Sequence, residues 1–240
     1  STVNPEADEG KPLRGGEKTY ELHLRDGVIT LGGDGNYYLC GSPGDNIWAY
    51  NKGLELWKSP DLHEWSYLGV VYDFDRDGED WIKGWRQHPR RVVRAVWAPE
   101  IHYVKGNYYI CFSMCPGGTC IVKSTSGKAE GPYVNAFDDK GPITTGIDAT
   151  LFQDDDGAVY FTWAGGTQIA RLKDDMSGLA EPFRHIEVEA DTDPSHHSSS
   201  CNDKKSYNHS GREGATIFKH DGLYYLGAAD TYEGRYSMCL

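Results

Sequence analysis

Basic residues are scarce: 24 Lys and Arg stand against 36 Asp and Glu, a formal net charge of −12 over 240 residues. That balance excludes a broad electrostatic footprint for nucleic acid or anionic membrane, so neither is expected as a partner. Long apolar runs are missing too, and no stretch approaches the roughly 18 uninterrupted residues of a spanning helix. No cysteines are spaced as CxxC, which removes the usual signature of a structural zinc site. The chain also lacks a Gly-x-Ser-x-Gly elbow, a His-Glu-x-x-His helix and a glycine-rich phosphate loop with its lysine. Those absences set aside α/β-hydrolases, zincin peptidases and P-loop enzymes. No segment sustains a 3.6-residue apolar period, so any helices are expected to be brief.

What the chain does have is aromatic residues, 7 Trp, 16 Tyr and 7 Phe, together with 29 Gly. This suits many short strands joined by tight turns. One unit recurs four times, an Asp-Gly or Lys-Gly turn followed by an aromatic-rich strand: Asp34-Gly35-Asn36-Tyr37-Tyr38, Lys105-Gly106-Asn107-Tyr108-Tyr109, Asp156-Gly157-Ala158-Val159-Tyr160 and Asp221-Gly222-Leu223-Tyr224-Tyr225. A strand precedes each turn, over residues 27–31, 98–104, 149–153 and 215–219, and further strand material follows. Three or four antiparallel strands repeated at this long period predict an all-β fold of β-propeller type rather than a β-sandwich. Residues 1–24, polar and rich in Pro and Gly, read as an N-terminal arm, and residues 25–240 as a propeller of about four blades. The fourth unit reaches only its third strand at Leu240.

Of the six cysteines, Cys115 and Cys120 flank a turn, residues 116–119, that is expected to allow a bridge in an oxidising compartment. For the other four, buried free thiols are an equal reading. Ser1 opens no charged-then-apolar leader, so export would mean that a signal peptide has been removed. Residues 193–210, with His196-His197, a serine run and the sequon Asn208-His209-Ser210, read as a long polar insertion.

The innermost strands of a propeller surround its axis and can aim side chains from different blades at one pocket. Asp26, Asp148 and Glu213 precede such strands in the first, third and fourth units, and Trp97 holds the matching place in the second. For Asp26 plain turn chemistry competes with a functional role, and for Trp97 core packing competes with stacking on a ligand. Asp154, Asp155 and Asp156 read as a solvated hairpin turn rather than a calcium loop. Glu100 and His102 read as supports of the pocket or blade.

The segments Trp97 to His102, Asp148 to Phe152 with Asp154-Asp155-Asp156-Gly157, and Glu213-Gly214 with Lys219 to Leu226 together resemble glycoside hydrolase family 43; Ser59-Pro60-Asp61-Leu62-His63-Glu64-Trp65 adds weaker support. The likeness covers about residues 25–240. It implies a five-bladed propeller whose last blade is missing or incomplete here, closed by a further segment or a second chain. It also implies a secreted or periplasmic inverting glycosidase acting on xylose- or arabinose-containing oligosaccharides or polysaccharides. No cofactor is required, and a structural calcium ion is allowed. Within it, Asp26 matches the general base, Glu213 the general acid and Asp148 the residue that tunes and orients the acid, with Trp97 against the substrate. Gly27 stands where the family usually has proline, which loosens the backbone beside Asp26. The alternative is a non-catalytic carbohydrate-binding propeller derived from such an enzyme.

Overall fold

The turn chemistry read above builds four antiparallel sheets. The computed structural model describes residues 22–44, 49–115, 117–163, 168–186, 213–232 and 235–239. Blade 1 is a meander of β1 (Leu24–Leu31), β2 (Tyr37–Pro43), β3 (Gly53–Ser59) and β4 (Ser66–Asp73). A four-residue helix α1 (Asp80–Lys83) and a two-stranded ribbon, β5 (Arg86–His88) with β6 (Arg91–Val93), lead into the second blade. Blade 2 comprises β7 (Ala95–Val104), β8 (Asn107–Cys115), β9 (Gly118–Ser124) and β10 (Tyr133–Asn135). Blade 3 comprises β11 (Thr150–Gln153), β12 (Val159–Trp163), β13 (Gln168–Arg171) and β14 (Arg184–His185). Blade 4 has three strands, β15 (Glu213–His220), β16 (Leu223–Tyr232) and β17 (Arg235–Cys239). All four predicted hairpins are present, between the first and second strands of each blade.

Two of those hairpins close in two residues. Lys105-Gly106 has φ of 52° and 72°, and Asp221-Gly222 has 48° and 77°. Left-handed geometry at both central positions matches the right-handed twist of the strands, and glycine adopts it without steric cost.

Burial is uneven from blade to blade. β8 is buried at every position from Tyr108 to Cys115. One core cluster, including Tyr72, Phe74, Ile110 and Phe112, fills the space between blades 1 and 2. A second, including Cys111, Leu151 and Phe161, lies between blades 2 and 3. A strand with a blade on either side loses its polar face, so β8 reads as one nearly continuous apolar run.

The expected Cys115–Cys120 bridge is not formed; both are free thiols, as are Cys40 and Cys111. The hairpin register sets Cys120 opposite Phe112, three positions from Cys115, and side chains an odd number apart along a strand point to opposite faces. Cys120 accordingly joins the cluster between blades 1 and 2, while Cys115 packs with Val93 and Ala95. The N-terminal arm as far as residue 21 and the polar insertion at 193–210 lie outside the described residues.

Candidate active site

The four innermost strands share one local device. Asp26, Ala98, Asp148 and Gly214 all have left-handed φ, of 53°, 43°, 56° and 67°. The strand register breaks at this point in β1, β7 and β15, and Asp148 sits just ahead of β11. The three register breaks are β-bulges, which bend a strand and re-aim its side chains. Aspartate tolerates this conformation better than most residues. Ala98, which does not, has its N–H held by Ser42 Oγ at 2.9 Å. The left-handed residues correct one expectation. Aligned on them, Asp26 and Asp148 are equivalent, whereas Glu213 and Trp97 each stand one residue earlier. The residue in the left-handed region is Asp26 itself, while Gly27 is not.

The bulges open onto one cavity of about 870 Å³, and Asp26, Trp97, Asp148 and Glu213 all line it. All four residues singled out in the sequence are therefore brought together, from four different blades. Within the cavity the Gly214 N–H donates to Asp148 Oδ2 at 3.0 Å, tying the third blade's carboxylate to the backbone beside Glu213. Burial pushes the Asp148 carboxyl up to about 6. The negative charges of Glu213, Asp26 and Glu100 add to that rise, and the Gly214 hydrogen bond opposes it. Arg25 lies 3.8 Å from Asp26, with both side chains about half exposed, so this ion pair contributes little to stability.

Three further residues shape the cavity. The Tyr236 hydroxyl donates to Glu213 Oε1 at 2.6 Å and leaves Oε2 free of that bond. The register Glu213–Ala229–Met238 places Tyr236 two positions along the same face of blade 4, a relation that no local motif announces. Glu100 and His102 meet as a pair, Oε2 to Nε2 at 2.9 Å, on the wall supplied by β7. With Cys111 they form a group whose donor atoms lie within 4.8 Å of one another. That set does not suit calcium, which takes six to eight oxygen ligands. The buried Cys111 thiol is pushed well above its ordinary pKa by burial and donates to the Ala149 carbonyl at 3.1 Å. A calcium role is therefore not assigned to these residues.

A propeller whose axial cavity gathers carboxylates from separate blades defines the class to which this chain belongs. The particular family follows from comparison: residues 20–238 match the model of Glycosyl hydrolases family 43, and the chain belongs to that family. A β-D-galactofuranosidase from Aspergillus niger is 27% identical over 191 residues, 72% of this chain and 46% of the relative. An extracellular exo-α-(1→5)-L-arabinofuranosidase from Cellvibrio japonicus is 27% identical over 183 residues, 70% of this chain and 48% of the relative. The chain thus spans about half the length of the curated relatives it matches. Among solved structures, an α-L-arabinofuranosidase from Clostridium thermocellum superposes with a TM-score of 0.63 at 19% identity, covering 88% of this chain and 66% of that one. At that identity the likeness shows the fold.

Proposed function

We propose that this chain is the catalytic propeller of a secreted glycosidase that cleaves xylose- or arabinose-containing glycans with inversion at the anomeric carbon. The observation that carries the reading is the convergence of Asp26, Asp148 and Glu213 on one axial cavity. Inversion needs an ionised carboxylate to activate water on one face of the sugar and a protonated carboxyl to serve the leaving oxygen on the other, about 6.5–9.5 Å apart. Asp26 takes a proton from water as the water oxygen bonds to the anomeric carbon. The glycosidic bond breaks with its electron pair passing to the leaving oxygen, which receives the proton of Glu213. Asp148, fixed by the Gly214 N–H, acts beside Glu213 by charge and orientation. Tyr236 holds Oε1 of Glu213, which directs Oε2 to the leaving group. The carboxylates of Asp26 and Asp148, with Glu100, also favour the positive charge that develops on the sugar ring. The proposed chemistry draws on no cofactor.

The test is hydrolysis of aryl pentosides. Asp26→Asn and Glu213→Gln are each expected to lower turnover by about 10²–10⁴-fold or more with the circular dichroism spectrum unchanged. Full activity in both variants would refute the assignment. Saccharide binding without product release by the unaltered chain would favour a carbohydrate-binding propeller instead.

A further inference from the structure

Residues 81–94 differ electrostatically from the rest of the chain. Within a net charge of −12, this stretch carries Lys83, Arg86, Arg90, Arg91 and Arg94 and no acidic residue. It forms the end of α1 and the β5–β6 ribbon, which runs directly into β7. Arg94 therefore stands three residues from Trp97 on the cavity wall, about 10 Å along an extended strand.

At the base of the ribbon, Trp85 stacks on Tyr50 with ring centroids 5.5 Å apart and planes within 9°. Both rings remain open to solvent, Trp85 at 55% and Tyr50 at 45%. The stack is nevertheless held rigidly. Arg94, buried, sets its guanidinium 5.1 Å from the Tyr50 ring centre and 5.7 Å from that of Trp85. It donates to the Tyr50 hydroxyl at 3.3 Å, and Asp75 neutralises it through contacts of 2.5 and 3.1 Å. Arg90 and Arg91 are exposed at the turn of the ribbon and make no ion pair among the described residues.

We propose that this ribbon is a binding platform for a carboxylate-bearing sugar chain, one containing uronic acid units, on its way into the axial cavity. The proposal rests on the glycosidase reading above and deepens it by naming a substrate class. A rigid, solvent-facing aromatic ring offers a flat apolar surface for the C–H face of a sugar at little entropic cost. Guanidinium groups match carboxylate geometry and form charge-assisted hydrogen bonds with it. The remainder of the protein repels an acidic polymer, so a local cationic strip on the ribbon that leads into β7 is where such a chain gains a favourable field. Arg94, already neutralised by Asp75, acts as a positioning residue; Trp85, Arg90 and Arg91 supply the contacts.

Calorimetry on the full chain carrying Glu213→Gln tests the proposal without relying on turnover. The probes are a xylo-oligosaccharide bearing one glucuronic acid branch and the same oligosaccharide without it. The acidic probe is expected to bind about tenfold more tightly at low salt, with the advantage shrinking as salt screens it. Adding Arg90→Gln and Arg91→Gln should erase that advantage. Trp85→Ala should weaken both probes by about fivefold, and Trp85→Phe should restore most of the loss. Equal affinity for the two probes, no effect of Trp85→Ala, absence of binding by either probe, or tighter binding of a single-stranded oligonucleotide than of the acidic sugar would each overturn the proposal. Aryl pentoside hydrolysis by the unaltered chain reports separately on the glycosidase reading, because it requires only one sugar.

Discussion

Blades 2 and 4 begin with the same hairpin chemistry yet sit in opposite environments. In blade 2, β8 is buried on both faces from Tyr108 to Cys115. In blade 4, Phe218, Leu223 and Tyr224 are exposed at 45%, 61% and 56%. Each blade closes its first hairpin with left-handed residues, Lys105-Gly106 in one and Asp221-Gly222 in the other. The turn therefore depends on local backbone preference, whereas burial depends on neighbours that the blade does not encode. Chemistry follows a third pattern, because the less buried blade contributes Glu213 to the cavity and the more buried one contributes Trp97 and Glu100.

The sharpest way to break this comparison is to separate activity from stability. Glu213→Gln in blade 4 is expected to reduce turnover by about 10²–10⁴-fold while the melting temperature stays nearly constant. Phe112→Ala in blade 2 should do the reverse. Phe112 is fully buried against Phe74 and Tyr72, and its truncation should cost about 3–5 kcal/mol. Phe218→Ala in blade 4 should cost only about 1 kcal/mol, mostly its stacking on Tyr225. Equal losses from both phenylalanines in urea unfolding would show that the two environments are alike in solution.

A smaller effect concerns Asp148, which bridges blades 3 and 4 through the Gly214 N–H. Its carboxyl is raised to about 6 in the folded chain, above the ordinary carboxylate range near 4. Folding therefore favours the protonated form, and the stability linked to this group is present below about pH 4 and lost as pH rises through 6. Asp148→Asn is expected to stabilise the chain by on the order of 1–3 kcal/mol at pH 8 and by almost nothing at pH 3.5. A pH-independent change in melting temperature would contradict this.

The smallest effect tests the shared turn. Gly106→Ala and Gly222→Ala place a side chain in open space at φ of 72° and 77°. Each should cost about 1 kcal/mol, from left-handed strain alone. Similar costs in blades 2 and 4 would confirm that the hairpins are local devices; a much larger loss in blade 2 would show that tertiary packing enforces its turn.

Much of the lining of the candidate site was legible before any coordinates. Asp26, Asp148 and Glu213 could be found because each lies near the start of the first strand of a repeated hairpin, inside β1, just ahead of β11 and at the first residue of β15, so chain order located them on separate blades. Tyr236 was not legible, since its contact with Glu213 passes across two strand pairings in blade 4. The Cys115–Cys120 expectation failed for a related reason. Proximity in sequence suggested a bridge, but hairpin register assigned the two sulfurs to opposite faces of the sheet.

Turn residues, alternating aromatic strands and the order of the acidic residues were determined by the sequence alone, because each depends on φ preferences and side-chain alternation over a few neighbouring positions. The shared cavity, the elevated Asp148 carboxyl and the Tyr50–Trp85–Arg94 stack were decided only by the tertiary structure. Each of these requires residues from separate blades or loops to meet, and no local preference specifies which distant strand arrives beside them.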